Sequence, residues 1–227
     1  MKPHETLEKI AILRSLEAKE IAVLDRRCLW RHAKAKQWLL EEGETGTDIY
    51  FLTSGAVRVL ITPSPDREVI LADINAGNYF GEIAAIDGQP RSAGILAITD
   101  ATLACMPAAV FREILRKYPD VSEILLKHLV ARIRTLDQRI NEFSSMDVKH
   151  RIYAELLRRS RADPTDSHQA LVSPPPVHSD IAACVSTSRE MVARELKLME
   201  RQGLLSKRRG AFVITDVPAL LHRLHDE

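Results

Sequence analysis

The clearest chemical pattern in the chain lies in residues 80–93. Gly81 has no Cβ, so the backbone there can approach a bound molecule closely. Glu82 can accept hydrogen bonds from a sugar hydroxyl. Arg91, with Ser92 beside it, carries a planar guanidinium that suits a phosphate. Because turn residues lie between them, Glu82 and Arg91 can fold back to bind the ribose and phosphate of a nucleotide, or they can form a simple ion pair.

A second pattern, in residues 179–199, predicts DNA binding. Apolar residues recur at helical spacing on both sides of a short polar segment, residues 186–188, which predicts a helix-turn-helix. Arg189, Glu190 and Arg194 lie at the start of the second helix, where side chains meet base edges. Arginine can bind guanine O6 and N7 together, and glutamate can accept from cytosine N4. The two apolar faces are Ile181, Ala182 and Val185, and Val192, Leu196 and Met199.

Downstream, residues 203–214 predict a β-hairpin with a basic tip. Its tip carries Lys207, Arg208 and Arg209. These side chains could contact DNA phosphates beside the second helix, or they could simply be solvated.

The elements that position these residues include a long helix ahead of the DNA-binding segment. Its apolar residues alternate in steps of three and four, which predicts a heptad seam. Such a helix can pair with its own copy about a two-fold axis or pack on its own chain. We expect a hinge at residues 143–147, where Asp147 can cap a new helix. The seam consists of Leu126, Leu129, Ile133, Leu136, Ile140 and Phe143.

Residues 29–103 contain many short apolar runs separated by turn residues, which predicts strands in a sandwich or barrel. Gly55 lies where a tight hairpin needs a positive φ. Residues 161–176 are rich in Pro, Asp and Ser and are predicted to be a loop.

The overall composition constrains the function only weakly. The chain has 227 residues, is 45% hydrophobic and has a formal net charge of +1, so total charge does not indicate a nucleic-acid partner. It contains no apolar run long enough to span a membrane and begins without the apolar core of a secretory signal. The three scattered cysteines, Cys28, Cys105 and Cys184, suggest ordinary thiols in a reducing cytoplasm.

Residues 80–93 closely resemble the phosphate-binding cassette of cyclic-nucleotide-binding domains. The Phe-Gly-Glu start, the Pro-Arg-Ser-Ala end and the spacing between them all agree. The resemblance implies that Glu82 binds the ribose 2′-hydroxyl and that Arg91 and Ser92 bind the cyclic phosphate. It also implies backbone contacts from Gly81, Ile83 and Ala84.

The segment Ser-Arg-Glu-x-Val-x-Arg at 188–194 resembles the recognition-helix signature of the cyclic-AMP receptor branch of the CRP/FNR family. The likeness implies that Arg189, Glu190 and Arg194 read a TGTGA-like half-site. It implies a cytoplasmic homodimer on palindromic DNA, with RNA polymerase as a further partner. The DNA backbone would be held by Ser188, Lys197 and Arg208.

Taken over nearly the whole chain, this resemblance implies an α+β architecture. We expect an N-terminal β-barrel of jelly-roll type that binds a cyclic nucleotide at residues 1–117. A dimerisation helix at residues 118–143 and a winged helix-turn-helix at residues 144–227 follow it.

The sequence departs from the family where the nucleotide base is read. A Thr-Ser pair contacts adenine in the cyclic-AMP receptor branch of the family, but the matching positions here are Leu136 and Asp137. An ionised aspartate accepts hydrogen bonds only, so Asp137 could favour cyclic GMP, and Thr135 could partly substitute for the missing hydroxyls. We expect cyclic AMP first and cyclic GMP as the alternative. Ser186 replaces a glycine of the turn, which predicts some strain there.

Other classes of protein fit less well. Too few clustered cysteines are present for an iron–sulfur sensor, and lone histidines do not indicate haem, so we expect neither metal nor haem. We find no motif of an enzyme. Two alternatives stay open, namely a cyclic-nucleotide-binding regulatory module that does not act on DNA and a CRP/FNR-type regulator that needs no ligand.

Overall fold

The computed structural model describes residues 5–64 and 67–225. The chain divides into two compact units, residues 1–133 and residues 134–227, called here the first and second unit. Helices and strands are mixed in both units, as predicted. No helix within the described ranges is long and apolar enough to cross a membrane. The three cysteines are free thiols.

The strands of the first unit form two four-stranded antiparallel sheets, in the orders β1-β8-β3-β6 and β2-β7-β4-β5. Among the described residues no ladder joins them, so the predicted closed barrel is not observed. Instead, inward-facing residues of both sheets share one apolar core. The strands are β1 Leu29–Ala33, β2 Trp38–Leu40, β3 Ile49–Ser54, β4 Ala56–Ser64, β5 Arg67–Asn75, β6 Tyr79–Phe80, β7 Gly94–Ala97 and β8 Ala101–Met106.

The turn at Gly55 connects the two sheets. Gly55 has φ +87°, as predicted, and a Cβ added there would lie 2.3 Å from the carbonyl oxygen of Asp100. Only glycine fits such a close approach. The predicted hairpin is nevertheless wrong, because β3 and β4 belong to different sheets.

Helices cover the sheet that contains β3 and β8. Their apolar faces pack with Ile49, Phe51 and Met106 of those strands into a second core. The helices of this unit are α1 Ala18–Asp25, α2 Glu82–Asp87, α3 Ala108–Lys117 and the first part of α4 Pro119–Ser145, with a short 3-10 helix at Ala11–Leu13. The unit boundary falls inside α4, a single helix that contains the whole predicted seam.

The second unit contains the end of α4, four further helices and one antiparallel sheet in the order β11-β12-β10-β9. Asp147 caps α5 by accepting from the backbone N–H of His150 at 2.9 Å, as predicted. The elements are α5 Val148–Arg159, β9 Arg161–Asp163, β10 Asp166–Val172, α6 His178–Val185, α7 Arg189–Arg201, β11 Leu205–Arg208, β12 Ala211–Ile214 and α8 Val217–His225.

The predicted loop at 161–176 is wrong over most of its length, because β9 and β10 form a hairpin there. Asp163 accepts from the backbone N–H of Thr165 at 2.9 Å, which closes the turn. Ala170 and Val172 alternate into the core. The strand signal is confined to that short apolar end, and polar turn residues obscure it in the sequence.

Candidate functional site

The cassette is a strand–turn–helix. Strand β6 ends at Phe80, Gly81 takes the left-handed conformation with φ 82°, and α2 begins at Glu82. A Cβ at Gly81 would lie 2.7 Å from Nη1 of Arg91 and 3.0 Å from the carbonyl oxygen of Asp48. Glycine is therefore needed both for the turn and for the packing of Arg91 against the backbone.

Arg91 is 5% exposed. Its guanidinium donates to the carbonyl oxygens of Gly81 at 3.1 Å and Asp48 at 2.8 Å, and it lies 5.7 Å from the centre of the Tyr50 ring. These partners are neutral, so no carboxylate forms a hydrogen bond with the guanidinium. The Nε atom of Arg91 is buried without a hydrogen-bond partner. Because a buried unpaired donor is costly, the site is suited to an anion.

Glu82 is 5% exposed and pairs with Arg132 of α4, whose Nη1 lies 3.2 Å from Oε1. Burial raises the pKa of the Glu82 carboxyl, against the lowering effects of its own backbone hydrogen bond and of the charges of Arg132 and Arg91. The hydrogen bonds of Arg91 go to carbonyl groups and the ion pair of Glu82 goes to Arg132, so the simple Glu82–Arg91 ion pair is not the arrangement observed.

Sequence reasoning missed Arg132. It precedes the seam residue Ile133 and shows no local signal that separates it from the other arginines of α4. Only the fold brings it to the carboxylate that begins α2.

The cassette residues and Arg132 surround one cavity of about 40 Å³. Apolar residues of β2, β4, β6 and β7 form the other side of the wall. The residues around the cavity are Leu40, Val59, Ile74, Phe80, Gly81, Glu82, Ile83, Ala84, Arg91, Ser92, Ala93, Ile95 and Arg132.

Six of the nine predicted ligand-binding residues therefore come together. The other three, Thr135, Leu136 and Asp137, lie on α4 just beyond Arg132, in the second unit, and are not among the residues around this cavity. Leu136 is 43% exposed. Contacts of these three residues with a nucleotide base stay a prediction.

Helices α6 and α7 form the predicted helix-turn-helix. Ser186 ends α6 with φ 56° and ψ 57°, so the non-glycine residue does adopt the left-handed conformation expected of a strained turn. Ser188 caps α7, and its Oγ accepts from the backbone N–H of Met191 at 3.2 Å. The predicted apolar faces of the two helices are buried.

Most of the predicted DNA-contacting side chains of α7 share its outer face. Helical periodicity places Glu190, Arg194 and Lys197 together, opposite the buried residues of that helix, whereas Arg189 is its first residue and lies to one side of them. All four are exposed, as is Ser188. An exposed row of two arginines, a lysine and a glutamate can form hydrogen bonds with base edges and phosphates.

The predicted hairpin is formed by β11 and β12, with Gly210 in the turn at φ 77°. Two of its basic residues already have acidic partners. Arg208 Nη1 lies 3.3 Å from Oδ2 of Asp163, and Lys207 Nζ lies 2.6 Å from Oε1 of Glu200. The Arg208 side chain remains 58% exposed, so it can still reach a phosphate.

Comparison with known families assigns both units. Residues 30–118 match the cyclic nucleotide-binding domain, and residues 150–223 match the Crp-like helix-turn-helix domain. The first match contains the cassette, and the second contains α6, α7 and the hairpin. These matches agree with the two sites found from geometry.

Known proteins are similar to this chain over most of its length. The chain is 29% identical over 181 residues to the cAMP-activated global transcriptional regulator CRP of Salmonella typhimurium, covering 79% of this chain and 86% of that protein. It is 27% identical over 209 residues to the cAMP-activated global transcriptional regulator Vfr of Pseudomonas aeruginosa, covering 90% and 98%. The fold matches a mutant of CooA from Carboxydothermus hydrogenoformans with a TM-score of 0.80, at 21% identity and 94% coverage of both chains.

Proposed function

The chain belongs to the CRP/FNR family of transcription regulators, and we propose that it is a cytoplasmic homodimer that binds palindromic TGTGA-like DNA in response to a cyclic nucleotide. It acts by binding and not by catalysis, and RNA polymerase is its further partner. One observation carries the ligand response. The guanidinium of Arg91 is buried with neutral partners and an unpaired Nε, so a phosphate supplies the charge and the acceptors that it lacks.

The sugar binds at the carboxylate of Glu82. A ribose hydroxyl donates to an oxygen that Arg132 now contacts, so the ligand competes with Arg132 for that oxygen. Arg132 belongs to α4, the helix that carries the seam. Ligand binding thereby acts on the seam helix, and it switches the protein only if the ligand favours the DNA-binding geometry over the resting one.

The base of the nucleotide is read by Thr135, Leu136 and Asp137. Cyclic AMP is the first candidate, because the relatives named above are cAMP-activated. Cyclic GMP is the alternative, because an ionised Asp137 accepts hydrogen bonds and guanine offers donors at N1 and N2.

Two copies pair along α4. Leu126 is 61% exposed, Ile133 56% and Ile140 65%, and Leu136 and Phe143 are also exposed. Leu129 packs on the core of the first unit. A row of exposed apolar residues at heptad spacing on a 27-residue helix is the surface by which helices pair.

On DNA, Arg189, Glu190 and Arg194 meet base edges in the major groove. The backbone contacts come from Ser188, Lys197 and Arg208. A two-fold dimer presents two copies of α7, about one turn of DNA apart, which matches a palindromic site.

A regulator that needs no ligand is the second candidate. The contact between Arg132 and Glu82 favours it, because the carboxylate that would bind the sugar already has a partner within the chain.

Fluorescence anisotropy separates these candidates. A labelled TGTGA-N6-TCACA duplex is titrated with the full chain at fixed salt, without nucleotide, with cyclic AMP and with cyclic GMP. We expect strong enhancement by one nucleotide. Tight binding that ignores nucleotide would support the ligand-independent regulator, and no binding under any condition would contradict the DNA-binding proposal.

A further inference from the structure

A buried polar pair lies beneath the recognition helix. Tyr153 of α5 is fully buried, and Glu195 of α7 is 7% exposed. The hydroxyl of Tyr153 donates to Oε1 of Glu195 at 2.6 Å, and burial is the main cause of the raised pKa of Tyr153. Burying a carboxylate is unfavourable unless it is well paired, so this pair requires a reason.

Arg223 of α8 lies close enough to the pair for its positive charge to lower the pKa of Tyr153. Its Nη1 donates to Oε1 of Gln202 at 2.6 Å. The four residues Tyr153, Glu195, Gln202 and Arg223 are called here the polar clamp. Glu195 lies in the middle of α7, and Gln202 follows its last residue. The clamp therefore holds α7 at two points about two helical turns apart.

Glu195, which is buried, directly follows Arg194, which is exposed and is predicted to contact DNA bases. The apolar contacts of α7, from Val192, Leu196 and Met199, are non-directional and tolerate a small rotation of the helix. A hydrogen bond is directional, so it tolerates a rotation of α7 less well than these apolar contacts do.

Rotation affects the two kinds of DNA contact differently. Bidentate contacts to a base edge need the donor in one place, whereas electrostatic attraction to phosphates is largely independent of sequence. A slightly rotated α7 therefore loses discrimination before it loses general affinity for DNA.

We propose that Tyr153 and Glu195 are positioning residues for base reading, whose hydrogen bond sets the rotation of α7 and so directs Arg189, Glu190 and Arg194 at the bases. This rests on the proposed DNA-binding function. It assigns to the buried polar pair a role in sequence discrimination.

The test compares full-length wild type with Tyr153→Phe. Wild type first selects its own site from a randomised DNA pool at saturating cyclic AMP and again without nucleotide. Affinities for that site and for a scrambled duplex are then measured across a salt series. We expect Tyr153→Phe to weaken specific binding roughly tenfold, since a hydrogen bond to a charged group is lost, with the scrambled-duplex affinity and the salt slope unchanged.

The scrambled duplex separates positioning from simple stability. Partial unfolding lowers both affinities by the same factor, whereas misplacement of α7 lowers only the specific one. Glu195→Gln keeps an acceptor for Tyr153 and should retain specificity. The double variant Tyr153→Phe with Glu195→Leu replaces both buried polar partners by apolar groups, a change that can be nearly neutral for stability, and should lose specificity while remaining folded.

A matched control exists in the first unit. Tyr118 donates to Oε1 of Glu20 at 2.6 Å, so Tyr118→Phe removes a tyrosine–glutamate bond of the same length far along the chain from α7 and should leave both affinities unchanged. Equal loss on both duplexes in Tyr153→Phe and in the double variant, or no loss, would overturn the positioning role and leave the proposed function standing. Failure of wild type to select any sequence would overturn both.

Discussion

Two sets of buried charged residues, one in each unit, have opposite kinds of partner. In the first unit, Arg91 is buried with carbonyl partners only. In the second unit, the buried carboxylates Glu142 and Glu155 both have arginine partners. Arg158 Nη2 lies 2.7 Å from Glu142, Arg158 also pairs with Glu155, and Arg159 Nε lies 2.6 Å from Glu155.

The difference between these two sets of partners distinguishes a ligand-binding site from an ion-pair network that stabilises the fold. A charge network that holds helices together is complete within the chain, so removing one member leaves an uncompensated charge. A charge kept for a ligand is incomplete until the ligand arrives. Arg91 fits the description of a charge kept for a ligand. The ion pairs that join Glu142 of α4 with residues of α5 fit the description of a structural network.

The largest effect is expected from Glu155→Ala. Arg158 and Arg159 both lose a buried partner, so the free energy of unfolding should fall by about 3–5 kcal/mol. Urea denaturation at neutral pH measures it. Glu123→Ala, which removes only the exposed pair with Lys127, should cost less than about 1 kcal/mol. Equal losses in the two variants would remove the distinction between the two kinds of charge.

Arg91→Ala should break ligand binding and largely preserve folding. Truncating one partner of a buried, hydrogen-bonded charge pair costs about 2–5 kcal/mol of binding, so cyclic-nucleotide affinity should fall at least roughly thirtyfold. Calorimetric titration measures this. Arg112→Ala is the control, because Arg112 also donates to a backbone carbonyl, that of Ala85, at 2.8 Å. Retained ligand-dependent DNA binding in Arg91→Ala would contradict the pocket assignment.

Arg194 provides a third case, an arginine that is exposed on the outer face of α7. Arg194→Ala should weaken DNA binding by about 1–3 kcal/mol and relax discrimination at a single base position. Binding to a set of duplexes that differ from the selected site at one base pair each locates that position. A uniform loss over all duplexes would indicate a phosphate contact instead.

The smallest effects concern the dependence of stability on pH. Glu82 in the first unit and Asp163 in the second unit should contribute to it with opposite signs. Burial raises the pKa of Glu82, so its contribution to stability is present in acid and is lost as pH rises through the raised pKa. Hydrogen bonds from Thr165 lower the pKa of Asp163, so its contribution is present at neutral pH and is lost as pH falls through the lowered pKa.

At neutral pH, Glu82→Gln should therefore be more stable than wild type and Asp163→Asn less stable. Both differences should shrink as the solution is acidified below the ordinary carboxyl range. The urea midpoint, followed as a function of pH, measures them. Parallel pH dependences in the two variants would contradict the opposite environments of these carboxylates.

Local sequence was sufficient to predict much of both sites. The close approach at Gly81, the cap at Asp147 and the two apolar faces of the helix-turn-helix depend on near neighbours, and the structure has all of them. The strained turn at Ser186 was predicted because serine stands there in place of the glycine of the family.

Contacts between residues distant in sequence could not be predicted in this way. The partner of Glu82 is Arg132, 50 residues away, and the partner of Arg208 is Asp163, 45 residues away. The change of sheet at Gly55 depends on strand pairing beyond the turn itself. Strands β9 and β10 escaped prediction because turn-forming residues dominate their sequence and only tertiary pairing makes them strands.

The most direct test concerns the unpaired Nε of Arg91. The ¹⁵N–¹H side-chain signal of this group can be assigned by its absence in Arg91→Lys and followed while cyclic AMP or cyclic GMP is added to the full chain. We expect one of the nucleotides to bind and to shift this signal as the phosphate gives the guanidinium an anionic partner. A nucleotide that binds while the Arg91 signal stays in place, or the failure of either nucleotide to bind, would contradict the assignment of Arg91 as the phosphate-binding residue.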